Sequence, residues 1–317
     1  MDTLSFDDGD EMPIFGLGTW KSDPGEVYDA VQVALDAGYR HVDCAPIYGN
    51  EAEVGQALSD TFDDGDVDRD DVWITSKLWN DAHRPEDVRP ALEDTLEDLQ
   101  LDTLDLYLMH WPVALEPGVD MPESPDDFIS REALPLSETW AAMEDLLQEG
   151  LVRHIGVSNF SVPTLRSLLD EVDHAPEMNQ IEMHPSLQQS EMLDFAAEAG
   201  VHLTAYSPLG SRDRPEMMKA EDEPNLMADP TIVEIAEAHD ASPAQVLIRW
   251  AIQRGTAVIP KSTTPAHIRD NIAATELSLS DAEMDAIADL DRGRRFLRGE
   301  IWTLEGSPYT QATLWGE

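Results

Sequence analysis

Cysteine occurs once, at Cys44, which excludes disulfides within the chain and any zinc site built on cysteine. Lysine is almost as scarce: Lys21, Lys77, Lys219 and Lys261 are the only four. All cations are few, with 20 Lys+Arg against 65 Asp+Glu and a formal charge of −45. A field of that sign repels nucleic acid and anionic membrane, so neither is expected as a partner. The acids are scattered through loops and outer helix faces, as in Asp63-Asp64-Gly65-Asp66, rather than gathered in one tail. Spread in this way they fit a salt-adapted organism, where the Debye length falls to about 3 Å or less and self-repulsion is screened. No run approaches the roughly 18 apolar residues of a membrane span, and Met1-Asp2-Thr3-Leu4-Ser5 has no basic, apolar signal. A cytoplasmic protein is predicted. A Pro/Gly/Ser-rich linker is also missing, and no G-x-G-x-x-G occurs, since Gly16-Leu17-Gly18 lacks the third glycine. A Rossmann dinucleotide site is therefore not expected.

What is present is a rhythm. Seven short apolar runs each end in polar residues: Tyr39–Val42 in Asp43, Val72–Thr75 in Lys77, and Leu104–Met109 in His110. The others are Ile155–Val157 into Ser158-Asn159, Met178 into Asn179-Gln180, Leu203–Ala205 into Tyr206-Ser207, and Ala257–Ile259 into Lys261-Ser262. Each run after the first follows a stretch of helical periodicity, and strand–helix alternation predicts a parallel sheet. Closed into a (β/α)8 barrel, which takes roughly 250 residues, the sheet would gather all these polar ends on one face. The 317 residues, 42% of them hydrophobic, suffice for that barrel as one domain over 1–317. Residues 1–14 read as a capping hairpin turned at Asp8-Gly9, and Phe15–Thr19 as a short strand. Helices are predicted from Asp23-Pro24 with Val27, Ala30, Val31, Ala34 and Leu35 buried, and from Ser137 with Trp140, Met143 and Leu147 buried. Others carry Val88, Leu92, Leu96 and Leu99, open at Ser242-Pro243, or start with a capping box from Ser280 to Glu283. Three long stretches, 111–136, 209–230 and 291–317, fit neither period and read as covering loops.

The first strand ends, with Tyr48, carry a recognisable chemistry. A free phenol titrates near about 10, a neighbouring ammonium favours its ionised form, and a carboxylate can hold that ammonium. Asp43, Lys77 and Tyr48 supply these groups, and His110 adds a neutral donor for a carbonyl oxygen. A proton donor beside an oriented carbonyl serves hydride transfer to that carbonyl.

These residues lie in segments that resemble the aldo-keto reductase family over nearly the whole chain. The matching segments are Gly38-Tyr39-Arg40-His41-Val42-Asp43 through Tyr48-Gly49-Asn50-Glu51, Leu106 to Pro112, and Gly156 to Phe160. They continue with Asn179 to Glu182, Tyr206 to Ser211, and Ile259 to Ser262. The resemblance implies a (β/α)8 barrel using NAD(P)H, with Asp43, Tyr48, Lys77 and His110 as its catalytic Asp, Tyr, Lys and His. It further implies that Ser158, Asn159 and Gln180 hold the nicotinamide amide and Tyr206 stacks on the ring. Ser207, Leu209, Ser211 and Asp213 match the pyrophosphate loop, and Lys261, Ser262, His267, Asp270 and Asn271 the adenosine end. His267 stands where NADP-preferring members usually carry arginine and is a weaker partner for a 2′-phosphate; NADP(H) is still the expected coenzyme, with NAD(H) the alternative. Trp20, Ile47, Trp79, Trp111 and Trp302 are the implied substrate wall, with 291–317 as the specificity segment and Phe128 a weaker candidate.

The substrate implied is a small carbonyl compound or alcohol. Cys44, His41 and His184 read as structural, no metal is expected, and a monomer is the default state. Two other readings stay open at this point. One is a coenzyme-binding regulatory barrel with little turnover; the other is a lyase or hydrolase using Asp43 and Glu51 as paired carboxylates.

Overall fold

The computed structural model describes residues 2–215, 218–220 and 222–316. Eight parallel strands form one sheet: β3 (Leu17–Gly18), β4 (His41–Asp43), β5 (Trp73–Leu78), β6 (Leu104–Met109), β9 (Val152–Ser158), β10 (Met178–Glu182), β11 (His202–Tyr206) and β12 (Ala257–Val258). Parallel bridges from Phe15 to Val258 and from Gly18 to Lys261 join the last strand to the first and close the barrel. Closure needs a glycine at 18, because a Cβ there would lie 2.8 Å from the Ile259 carbonyl oxygen.

Each of the seven apolar runs meets a strand, with Tyr39, Arg40, Val72 and Ile259 just outside the strand ends, and helices with one apolar face cover the strands outside. In α1 (Glu26–Asp36) the buried residues are Val27, Ala30, Val31, Ala34 and Leu35, the set the periodicity predicts. That helix starts later than Asp23-Pro24 implies. Gly25 takes a left-handed φ of 86° and donates its N–H to the Glu53 carboxylate, so the turn is completed before the helix begins. In the helix Leu136–Gln148 Leu146 is buried and Leu147 is half-buried, one position off the expected face. The capping boxes at Ser242 and Ser280 are formed.

The hairpin of β1 (Thr3–Ser5) and β2 (Glu11–Pro13) closes the floor. Its Phe6 ring packs against Trp73, His154 and His202, with centroids 4.2–5.3 Å apart. These partners lie toward the amino ends of their strands, so the carboxyl ends are left open at the other face. Stretch 111–136 holds a small hairpin, β7 (Ala114–Leu115) with β8 (Phe128–Ile129). Tyr309 pins the C-terminal segment to it, accepting from the Ala114 N–H and donating to the Ile129 carbonyl. No helix among the described residues is long and apolar enough to cross a membrane.

One buried acid links fold to pH. Glu51, at the start of α2 (Glu51–Asp64), accepts hydrogen bonds from Ser76 at 2.5 Å and Thr95 at 3.2 Å. Burial pushes its carboxyl up to about 7 against the pull of those hydroxyls and Lys77. A folded-state value above the unfolded one means that stability falls as pH rises between the ordinary carboxylate range and about 7, then levels off. Glu51→Gln keeps the shape without the charge. Its stability relative to wild type is expected to grow across that window by about 3 kcal/mol. Urea melts of both proteins at several pH values check this, and a pH-independent difference would contradict it.

Candidate active site

At the open face the strand ends surround a cavity of about 870 Å³. Asp43, at the end of β4, is 2% exposed and anchors its centre. One carboxylate oxygen accepts from the Lys77 ammonium at 2.6 Å and the other from the Gln180 amide at 2.6 Å. Lys77, wholly buried on β5, also donates to the Cys44 carbonyl at 2.8 Å. Burial alone would lower the ammonium's pKa, but Asp43 and Tyr48 outweigh it and hold the group charged. Lys77 Nζ lies 5.1 Å from the centre of the Tyr48 ring, which in turn meets the His110 ring edge-on with centroids 5.9 Å apart. The sequence groups Asp43, Tyr48, Lys77 and His110 by chemistry alone; the barrel brings them together.

Two electrostatic details refine the chemistry. Lysine was expected to lower the Tyr48 pKa, and it does act in that direction, but burial acts more strongly and the phenol is pushed up to about 12. Tyr48 therefore holds its proton at neutral pH and gives it up only to a strong base. Burial, followed by the charge of Lys77 and by His83, keeps His110 well below the usual histidine range, hence neutral. A protonated phenol and a neutral imidazole are two hydrogen-bond donors suited to a developing alkoxide.

Ser158, Asn159, Gln180, Tyr206, Ser207, Leu209, Ser211, Asp213 and Lys261 all line the same cavity. Tyr206 donates to the Asn159 side chain at 2.6 Å, and Asn159 donates to the His110 carbonyl at 3.0 Å, which ties this wall to the catalytic group. Among the described residues, four of the seven non-glycine residues with positive φ, Lys21, Asn159, Ser207 and Ser211, are in the lining. Strain concentrated at one site marks backbone held for a purpose other than packing. Ser262, His267, Asp270 and Asn271 lie beyond this cavity, at and along the helix Pro265–Asn271. His267 is exposed, Asn271 buried, and the Asp270 carboxylate already accepts from Ser242 and Gln245.

Trp20, Ile47, Trp79, Trp111 and Trp302 are also in the lining. Trp302 packs between Trp79 and Trp111, with centroids 5.8 and 5.5 Å away. Phe128 belongs to the apolar cluster behind them and does not reach the cavity. The wall contains residues that the sequence reading missed, among them Lys21, Arg212, Lys219, Met121, Met218 and the run from Phe296 to Ile301. Lysine scarcity was the available signal: three of the four lysines line the cavity and the fourth binds Asp43. The large apolar side chains most exposed among the described residues, Met121, Met218 and Ile301, border it too. Lys21 bonds Ser211 at 2.6 Å and Asp213 at 2.5 Å, and Lys261 lies 3.5 Å from Asp213, drawing the loop after β11 across the opening.

Glu51 is not in the lining, and both its oxygens are engaged, so a paired-carboxylate mechanism with Asp43 is ruled out by placement. Cys44 is a buried core thiol; His184 bonds Glu182 at 2.8 Å and His41 faces Thr75, both as structural groups. Among the described residues the group spaced to hold a cation is Asp8, Asp10 and His154, at the floor and away from the cavity.

Comparison with known proteins agrees with this geometry. Residues 14–292 match the model of the Aldo/keto reductase family. The chain is 52% identical to the aldo/keto reductase slr0942 of Synechocystis over 309 residues, covering 98% of this chain and 94% of that one. It is 47% identical to aldo-keto reductase family 1 member A1 of Sus scrofa, covering 91% and 89%. Among solved structures, the aldose reductase from Schistosoma japonicum superposes with a TM-score of 0.86 at 39% identity, covering 97% and 98%.

Proposed function

The chain belongs to the aldo/keto reductase family of NAD(P)H-dependent oxidoreductases, and from that premise we propose that it reduces an aldehyde, ketone or open-chain sugar with Tyr48 as proton donor. The observation that carries this reading is the bonded series Gln180–Asp43–Lys77 beside the protonated Tyr48 and neutral His110, at the cavity's centre. Ser158, Asn159 and Gln180 would hold the nicotinamide amide, and the Tyr206 ring its flat face. Ser207, Leu209, Ser211 and Asp213 would hold the pyrophosphate, with Lys261, Ser262, His267, Asp270 and Asn271 at the adenosine end. The fit rests on the lining itself: amide and hydroxyl groups on one side, and Lys21, Arg212 and Lys261 near the opening of a chain at −45. Cations so concentrated suit a polyanion. They favour NADP(H), the more charged coenzyme, over NAD(H).

When bound, the reduced nicotinamide supplies the hydride taken up by the carbonyl carbon. His110 and Tyr48 orient the carbonyl oxygen and stabilise the charge that grows on it. Tyr48 then passes its proton to that oxygen, and Lys77, held by Asp43, favours the phenolate left behind. Trp20, Ile47, Trp79, Trp111 and Trp302 form an apolar wall for the rest of the substrate. The same residues run an alcohol oxidation in reverse. The charge favours a salt-adapted enzyme, and a cytoplasmic monomer is the setting proposed for it.

The test is turnover of a carbonyl panel in molar KCl, followed by loss of reduced-nicotinamide absorbance with NADPH and NADH in turn. NADPH is expected to be preferred, and His267→Arg to tighten NADPH binding by about tenfold through a charge-assisted bond to phosphate. A folded protein that binds nucleotide yet turns over no carbonyl would instead make this a regulatory barrel.

A further inference from the structure

The two segments that cover the cavity, the loop after β11 and the C-terminal segment, meet where Arg214 lies over the Phe296 ring, and Phe296 is held by a buried carboxylate that touches no reacting group. Glu182, the last residue of β10, is fully buried two residues after Gln180. One of its oxygens accepts from the Phe296 backbone N–H at 2.6 Å and from His184 Nε2 at 2.8 Å. The other accepts from the Leu297 N–H at 2.8 Å. A buried charge persists only where donors replace water, and here two of the donors are the backbone of the covering segment itself. Burial is opposed by His184, Arg295 and the Phe296 N–H, which together hold the carboxyl below the usual range.

From that anchor the contacts run into the other cover. The Phe296 ring stacks on His184 at 4.3 Å and lies 5.1 Å from the Arg214 guanidinium. Arg214, buried on the loop after β11, donates to the carbonyls of Gly210 and Ser211 and to Glu223 at 2.5 Å. Ser211 in turn accepts from Lys21. On the other side, Trp315 donates to the Arg298 carbonyl and packs on Trp111, so the segment set by Glu182 also sets the tryptophan wall.

We propose that Glu182 is a positioning residue which, through Phe296 and Arg214, joins the loop 207–214 to the segment 293–302 so that the two covers order together. The inference rests on the coenzyme lying under the loop and the substrate under the segment. Ordering of one cover by its ligand then completes the site for the other.

Hydrogen–deuterium exchange of wild type, Glu182→Gln and Phe296→Leu, each with and without NADPH in molar KCl, tests this. In Glu182→Gln an amide N–H faces a backbone N–H, and peptides spanning both 207–214 and 293–302 are expected to exchange about tenfold faster. The ratio of KM for a bulky aromatic aldehyde to KM for a small aldehyde is expected to rise by a similar factor. A general loss of stability would speed exchange everywhere and leave that ratio unmoved. Phe296→Leu keeps the backbone bonds to Glu182 and removes only the ring. In that variant NADPH is expected to protect 207–214 without protecting 293–302. Faster exchange in 293–302 alone for Glu182→Gln, or wild-type joint protection in Phe296→Leu, would overturn the coupling. If NADPH failed to bind wild type, the functional reading would fall, while the nucleotide-free exchange of Glu182→Gln would still decide the joint anchoring.

Discussion

Tyr48→Phe is expected to lower kcat for carbonyl reduction by about a thousandfold while nucleotide binding is kept, because the change deletes one hydroxyl and little else. The ring's edge contact with His110, its packing near Trp20 and its place beside Lys77 all survive the substitution. What is lost, on the proposed mechanism, is the proton. Burial raises the phenol to about 12, so in wild type the donor is fully protonated at neutral pH and its own titration does not limit reduction there. The opposing pull of Lys77 matters as the proton leaves, when phenolate and ammonium stand close together with little water between them. Stopped-flow or steady-state assays of the variant, with nucleotide binding followed by tryptophan fluorescence, check the expectation. A variant within a few-fold of wild type would move the proton donor elsewhere in the cavity.

Lys77→Met is expected to damage both activity and stability, and the two losses should respond differently to a second change. The Lys77–Asp43 pair is buried, with side-chain exposures of 0% and 3%. Removing one partner strands the other, at a cost of about 3–5 kcal/mol. Asp43 still has the Gln180 amide, so the lower end of that range is expected. Adding Asp43→Asn removes the stranded charge and should recover much of the stability, since deleting both members of a buried pair is often close to neutral. Activity should stay at least a hundredfold down in both variants, because neither leaves an ammonium to favour the Tyr48 phenolate. Urea melts and kcat on the two variants separate the effects. A single variant as stable as wild type would show that the pair contributes nothing to the fold.

Residue patterns foretold the strands, and therefore the positions of Asp43, Lys77, His110, Ser158 and Tyr206. A strand end is legible because a run of buried apolar residues stops abruptly at a polar one, and closure of the barrel does the rest. The periodicity of α1 was equally readable, since its apolar set depends only on spacing. The covers were less legible. Met121, Arg212, Met218 and the residues after Phe296 come from stretches with no repeating period, placed by contacts such as Tyr309 to Ile129 or Glu182 to Phe296 that span 180 and 114 residues. No local pattern encodes such pairings. The direction of the Tyr48 shift was misjudged for a related reason: the charges near the phenol could be named from sequence, but the burial that outweighs them could not.

The most direct test of hydride transfer to a carbonyl is the fate of a label. Wild type in molar KCl would be given an aldehyde it turns over and NADPH carrying deuterium on one face of the nicotinamide C4, and the alcohol analysed by mass spectrometry. The proposed site predicts one deuterium on the carbinol carbon from one labelled face and none from the other, because a nicotinamide stacked on Tyr206, as proposed, would present a single face to the substrate. Alcohol formed without deuterium from either labelled coenzyme would contradict direct transfer and with it the role assigned to this cavity.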